Sequence, residues 1–527
     1  MSDPASAELS TRVSPPNNDQ RTGVNRPLTG SVHRRCRQLM GGWPINAILW
    51  AIIAISPALA VTFLVWHYFD RSLLAYVPVW TDEVDYWHQV ATFRAVGFAG
   101  GAYGVNEAEA KLAFLRFGSH GPAFPMLLAG ISAIAGWRPF SVPLINLAVM
   151  GAAIFGYLAL IRVGWVRAAL TGALVLTFWP VMLYLATTMP ETIHQGMAIV
   201  LAGLFFLLIR RGPTASRTPF IASVVVLTLA CLLRPTWALL FVPLFFLRGA
   251  TLTGRQLVRA ALKGGFIVVA ASGLFSLVST PYPKLYSELI ELTLNSPLTG
   301  VKLLLQNFWL NVQRLAESDW LELGLWAALL AIVAAAVVRV VRHLRQGTID
   351  HDENCAAGAF HLLNLLPVTV LVIGMYDTVD SCDYRFLAPH VLLSALLALA
   401  RSEHAIVIIA LAANLALAGA FRAGFLELHQ QHFLPATDPK TTALGRYIEY
   451  KPHASVWENT ILFDFTNFVP GLVNVPAGVG LNLYAGLDHP IRSRYLLITK
   501  QAARSLGEDR LRLLTTTAKG NLYLRED

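Results

Sequence analysis

Charge is scarce in this chain: of 527 residues only 14% are Asp, Glu, Lys or Arg, while 55% are hydrophobic. A soluble protein carries about 25% charged residues, so this composition, with a mean hydropathy of +0.53, excludes an ordinary soluble domain and marks a polytopic membrane protein. Cysteine is nearly missing too. The four present, Cys36, Cys231, Cys355 and Cys382, form no CxxC pair and no zinc-like spacing, which argues against a disulfide-stapled exported fold and against a structural zinc site. No internal repeat of the transporter kind is visible. The first 40 or so residues lack an apolar stretch of their own, which argues against a cleaved signal peptide. They are rich in Ser, Pro, Asn and Arg, end in Arg34-Arg35-Cys36-Arg37, and predict a disordered basic cytoplasmic tail over 1–44.

The net charge of +9 is dispersed in short basic clusters between apolar runs. That is where topology signals lie, so the charge orients helices and does not imply a nucleic-acid partner. Residues 45–66 are uncharged and, at about 1.5 Å per residue, cover roughly 30 Å, the thickness of the hydrocarbon core. Further uncharged runs fall at 140–161, 168–189, 192–209, 218–233, 235–247, 264–280, 323–338, 359–376, 386–400 and 405–421. Taken as about eleven spans from a cytoplasmic N-terminus, they place Arg162, Arg167, Arg210, Arg211, Arg217, Arg248, Arg255, Arg259, Lys263, Arg339, Arg342, Arg345 and Arg401 on the inside, as the bias of Lys and Arg requires.

The run at 121–137 is also uncharged, yet counting it as a span would invert every later loop. It is predicted to be an interfacial or re-entrant helix, with Pro122 and Pro125 in its first turn, inside a large outer loop over 70–139. Arg234 interrupts the stretch 218–247 and is followed by Pro235, which disfavours helix at the residue before it; two short helices are expected to meet there. The transmembrane domain thus spans 45–421. Residues 422–527 carry more charge and Pro, with strand-like runs at 460–465, 495–499 and 512–516 and a helix at 500–506. They predict a small extramembrane α/β domain on the periplasmic side.

Ionisable residues where helices leave the lipid are costly to keep dehydrated and read as sites. The outward-facing set is Asp82, Glu83 and Asp85 in Trp80-Thr81-Asp82-Glu83-Val84-Asp85-Tyr86, then His120, Glu191, Arg234, and the loop 376–386 with Asp377, Asp380, Asp383 and Arg385. Acids that take a proton and cations that hold an anion share one face, the combination that transfer from a lipid phosphate requires. Each has a plainer role open to it. Asp82 and Glu83 could cap a helix, Glu191 could favour a helix dipole, Arg234 could snorkel, His120 could be a polar residue ahead of a helix, and Arg385 could pair with Asp383 or Asp380. Asp377, Asp380 and Asp383 recur every third residue and could hold a divalent cation; no other cofactor is implied.

The Asp82-Glu83 pair early in the outer loop, His120-Gly121-Pro122-Ala123-Phe124-Pro125, Met189-Pro190-Glu191, Leu233-Arg234-Pro235 and Asp383-Tyr384-Arg385-Phe386-Leu387-Ala388-Pro389 together resemble the GT-C membrane glycosyltransferases that use polyprenyl-phosphate sugars, the group of protein O-mannosyltransferases and the lipid A aminoarabinose transferase. The resemblance covers about residues 45–420. It implies a sugar transferase of the inner membrane acting at the periplasmic face on a lipid, polysaccharide or protein acceptor, with inversion. Asp82 would be the base and Glu83 would orient it or the sugar. Glu191 would hold sugar or acceptor hydroxyls, and Arg234, Arg385, His120 and Asp383 would line the phosphate and substrate site. The chain departs from some relatives in carrying Asp85 where they have Arg, and His120 or Arg234 where they have Lys. A lipid-linked polysaccharide polymerase or ligase, or a transporter or flippase, is the alternative.

Overall fold

The computed structural model describes residues 43–112, 116–212, 217–249, 253–281, 292–317, 320–346, 352–375, 381–434, 444–464, 470–486, 489–506, 510–517 and 520–526. The chain falls into two compact units, Met1–Ala47 and Ile48–Asp527. Of the first, only residues 43–47 are described, and they begin a helix. The site and the sheet lie in the second.

The helices in chain order are α1 Trp43–Phe69, α2 Thr81–Val96, α3 Ala123–Ala135, α4 Ser141–Ile161, α5 Trp165–Thr177, α6 Trp179–Tyr184, α7 Glu191–Arg211, α8 Arg217–Leu233, α9 Phe241–Leu247, α10 Gly254–Val278, α11 Pro297–Glu317, α12 Trp320–Gln346, α13 Glu353–Met375, α14 Ala388–Ala400, α15 His404–Ala416, α16 Ala418–Phe433 and α17 Lys500–Ser505. Among the described residues six helices are long and apolar enough to cross a membrane: Ile45–Phe69, Ser141–Ile161, Glu191–Arg211, Gly254–Val278, Glu322–Gln346 and Glu353–Gly374. The pair α15 and α16, bent by 57°, makes a seventh if it is one span.

The eleven runs read from the sequence all fall on helices, but not all are full-length spans. The run 168–189 breaks at Phe178, which is extended (φ −76°, ψ 98°), because Pro180 has no N–H to continue the ladder of α5. The stretch 218–247 likewise turns at Arg234 (φ −154°, ψ 114°), followed by a 3-10 turn over Pro235–Leu240. The run 121–137, expected to be interfacial or re-entrant, forms α3, a short apolar helix opening after Pro122.

In α7, 83% of the apolar stretch is buried, against 6% of that in α10; α7 is enclosed by other helices, while α10 is exposed along most of its length. Close approach of α7 to α4 depends on small residues, as is usual where lipid gives no hydrophobic drive. A Cβ on Gly203 would lie 3.0 Å from Leu160 Cδ1, and one on Gly196 3.1 Å from Val149 Cγ1. Buried polar groups then join helices: Asn146 Nδ2 donates to Thr187 O, Tyr157 Oη to Leu396 O, and Asn364 Nδ2 to His390 O. At the opposite end of α14 from Arg385, Glu403 pairs with Arg339 (2.7 Å) and Arg401 (2.8 Å), tying α12 to the α14–α15 corner.

Six strands, β1 Gly104–Val105, β2 Thr460–Asp464, β3 Gly480–Tyr484, β4 Tyr495–Ile498, β5 Leu511–Thr516 and β6 Asn521–Arg525, form one sheet in the order β1-β3-β2-β4-β6-β5. The first four neighbours in that order run parallel, and β4–β6 and β6–β5 are antiparallel. Alternation decides the faces: Ile461, Phe463, Tyr495 and Leu497 pack with Val84 of α2 and Tyr103, while Leu462, Leu496, Ile498 and Tyr523 form the other face.

Strands β2, β4 and β5 and helix α17 fall on the runs read from the sequence; β1, β3 and β6 do not. The expected domain boundary at 422 lies inside α16, and the sheet is not confined to the C-terminal segment. The segment 70–139 supplies β1, with Gly104 opposite Asn482 and Val105 opposite Leu483. Gly101 makes this possible, since a Cβ there would lie 1.7 Å from Asn459 O.

Candidate functional site

Four of the residues singled out by their sidedness arrive from four different elements. Asp82 stands in the first turn of α2 and Glu191 opens α7, both where a helix N-terminus favours an acid. Arg234 is the extended residue before the 3-10 turn, and Arg385 lies in a second 3-10 turn over Ser381–Phe386. Arg385 Nη2 donates to Asp82 Oδ2 at 3.2 Å, and its Nε lies 3.5 Å from Glu191 Oε1. Arg234 Nη2 donates to the same Glu191 oxygen at 2.9 Å. Both guanidiniums sit over Phe386, 4.5 Å and 5.4 Å from the ring centre, a cation–π support that holds them without using their N–H groups.

Burial sorts these four. The side chain of Glu191 is 1% exposed and that of Arg234 10%, whereas that of Asp82 is 43% exposed. Among the described residues, Glu191 Oε2, Arg234 Nη1 and Arg385 Nε are buried and make no hydrogen bond. Buried donors and acceptors are normally paired, so these atoms are positioned to meet a ligand. The cluster offers one accessible carboxylate beside two guanidiniums that still have donors to give.

Tyr86, one turn after Asp82 on α2, is 2% exposed and was not singled out from the sequence. Its phenol is pushed well above the ordinary tyrosine range by burial and then by the charges of Asp82 and Glu191, with Arg385 and Arg234 opposing. It therefore stays protonated as a donor within the same charge cluster. The i, i+4 spacing from Asp82 was the available signal. His120 packs against Tyr86 with ring centres 5.1 Å apart, which brings it to the edge of the cluster.

Asp85 lies on the next face of α2, accepting from Gln89 Nε2. Burial, and then the charge of Asp82, raise its carboxyl well above the usual range, with the Gln89 bond opposing.

Glu83 does not join the others. It is fully buried, and its carboxylate is taken up by protein donors, so of the two expected roles, orienting the sugar has no free oxygen to rest on, while orienting Asp82 needs none. Oε1 accepts from Tyr76 Oη (2.7 Å) and Thr188 N (3.0 Å). Oε2 meets His432 Nε2 (2.6 Å) and the N–H groups of Val79 and Trp80 (3.2 Å each). The bond from Trp80 N–H is the helix-capping one expected of this acid. Burial would raise its carboxyl; the charge and hydrogen bond of His432, with those of Tyr76 and Thr188, outweigh this and hold it below the usual value. Nothing in the sequence pointed to His432.

Asp383 lies on the turn that carries Arg385, but its side chain, like Asp377 and Asp380, lies outside the described residues. The cation site expected of these three therefore falls outside them too. Among the described residues no group of three His, Cys, Asp or Glu has the arrangement to hold a metal ion.

No protein-family model matches the chain, and comparison with the curated proteins gives no match. Among solved structures the chain is similar to the crystal structure of ArnT from Cupriavidus metallidurans bound to undecaprenyl phosphate. The two share 12% sequence identity over 90% of this chain and 97% of that one, with a TM-score of 0.49.

Proposed function

We propose that this protein is a membrane glycosyltransferase that moves a sugar from a polyprenyl phosphate to an acceptor hydroxyl at the outer face of the inner membrane. The observation that carries this reading is the Asp82–Arg385–Glu191–Arg234 cluster, with its half-exposed carboxylate beside buried, incompletely paired guanidiniums. The acceptor hydroxyl gives its proton to Asp82 as its oxygen forms a bond to the anomeric carbon. The bond from that carbon to the phosphate oxygen breaks, and its electron pair leaves on the polyprenyl phosphate. Attack opposite the leaving group inverts the anomeric centre. The departing phosphate needs no proton because its oxygens are already acidic, and Arg234 and Arg385 receive the growing charge in a site shielded from bulk water. Glu191 keeps both guanidiniums in place and offers Oε2 to a sugar or acceptor hydroxyl.

Burial separates the roles. A base must meet the incoming hydroxyl, and Asp82 is the accessible acid, while Glu191 is enclosed. An odd number of crossings, counting the shorter apolar helices that pass between the long ones, sets an N-terminus inside and the sheet outside and keeps Asp82 and Glu191 on one face.

The test uses the full chain in nanodiscs with a bacterial extract of lipid-linked sugars, reading release of polyprenyl phosphate. Asp82→Asn is expected to lower release by about a hundredfold or more, as loss of a general base does, while undecaprenyl phosphate still binds. Full activity in that variant overturns the assignment, and absence of release by the wild type overturns the reaction. Mass analysis of envelope glycans from a deletion strain then identifies the sugar and acceptor.

A further inference from the structure

The geometry points to His432, together with Tyr76 and Thr188, as positioning residues that set Asp82 against Glu191 through the carboxylate of Glu83. This rests on the reading of Asp82 as the base. His432 comes from α16, near the end of the bent helix pair, and the mechanism makes no use of it.

Glu83 follows Asp82 directly, so the bonds that anchor its carboxylate also hold the first turn of α2, and with it Asp82, in one orientation. Thr188 precedes Glu191 by three residues, and its N–H reaches both Glu83 Oε1 (3.0 Å) and Tyr76 Oη (2.9 Å). The Tyr76 hydroxyl also lies 3.0 Å from Thr188 Oγ1. One carboxylate therefore joins the segment that begins α2 to the segment that begins α7, the two that bring acids to the site. Tyr76 stacks on His432 with ring centres 5.2 Å apart, and Trp80 meets the same imidazole edge-on at 4.9 Å. Tyr76, Glu83, Thr188 and His432 are all 0–1% exposed.

Five protein donors meet two oxygens that together offer about four lone-pair positions, so Glu83 has no capacity left for a substrate. An enclosed acid of this kind is not the cheapest way to stabilise a core, because well-packed apolar side chains serve as well or better. What it supplies is fixed direction. A displacement of about 1 Å at a reacting group can cost a hundredfold in rate, and His432 is the donor that brings a third, distant helix into the arrangement.

The experiment compares wild type, His432→Leu and His432→Gln in nanodiscs with three readouts: release of polyprenyl phosphate, binding of undecaprenyl phosphate by native mass spectrometry, and hydrogen exchange over residues 81–86. Glutamine keeps an N–H where Nε2 stood; leucine does not. His432→Leu is expected to slow release about tenfold or more while binding stays within about twofold, because the guanidiniums lie on other elements. Exchange over 81–86 should quicken, and His432→Gln should recover release to within about threefold. Unchanged release and exchange in His432→Leu overturns the inference, as does joint loss of release and binding with no rescue by glutamine. If the wild type itself neither binds nor releases, the reaction is wrong, and the exchange comparison still decides whether His432 fixes the helix.

Discussion

Arg234 and Arg385 meet the same oxygen of Glu191, so removing either changes the other. Arg234→Ala leaves Glu191 enclosed with a single cation at 3.5 Å, and breaking a buried pair in this way costs about 3–5 kcal/mol. The expected outcome is a lower melting temperature together with a donor KM raised at least about tenfold and an acceptor KM within about twofold; the reverse split moves Arg234 away from the phosphate. Asp85 gives a pH test. Its folded carboxyl is raised by burial and by Asp82, so its contribution to stability is complete below the unfolded value of about 3.9 and is lost as pH rises through the folded value. Asp85→Asn, which cannot ionise, should therefore gain melting temperature over wild type progressively from pH 4 upwards, read by thermal unfolding across about pH 4–8. Asp82, Glu191, Arg234 and Arg385 were legible because a charge at the end of an apolar run is an anomaly on the page. Tyr76, Thr188 and His432 were not. A Thr and a Tyr at a helix end carry no anomaly, and His432 lies 349 residues from Glu83, where no local pattern connects them.

At the scale of elements, the direction in which α7 delivers Glu191 depends on how closely that helix lies against α4. Gly203→Leu places a side chain where a Cβ already lies 3.0 Å from Leu160. Overpacking of this size costs about 1–3 kcal/mol. The expected result is a lower melting temperature with slower polyprenyl phosphate release, whereas Ile221→Leu, on an exposed face of α8, should change neither. The existence of most helices was readable from uncharged runs, and the turn at Arg234 from the proline beside it. The break at Phe178 was missed because Trp-Pro reads equally well as a helix opening and as an interior kink. Strands β3 and β6 were missed because Gly480–Tyr484 and Asn521–Arg525 are short and each mixes polar with apolar residues.

For the molecule as a whole, the sheet joins the segment 70–139 to residues about 350 or more positions further along the chain. Glu107 is the clasp: its carboxylate accepts the N–H groups of Arg492 and Ser493, and its own N–H donates to Asn482 Oδ1. Gly101→Ala should open this junction, because the added methyl has no room beside Asn459 O; limited proteolysis of the 100–112 segment is expected to quicken while α7 and α14 stay protected. The sharing of β1 with the C-terminal strands is not visible in the sequence, because its pairing with β3 is non-local and two residues of strand leave no periodicity to detect. That pairing also sets a clock on biogenesis. Glu107 and Asn482 are 375 residues apart, and at about 5–20 residues per second the ribosome needs roughly 20–75 s to make that interval. During it the loop that carries β1 stands without its neighbours, and the newborn protein stays unfinished until strands β2 to β6 arrive.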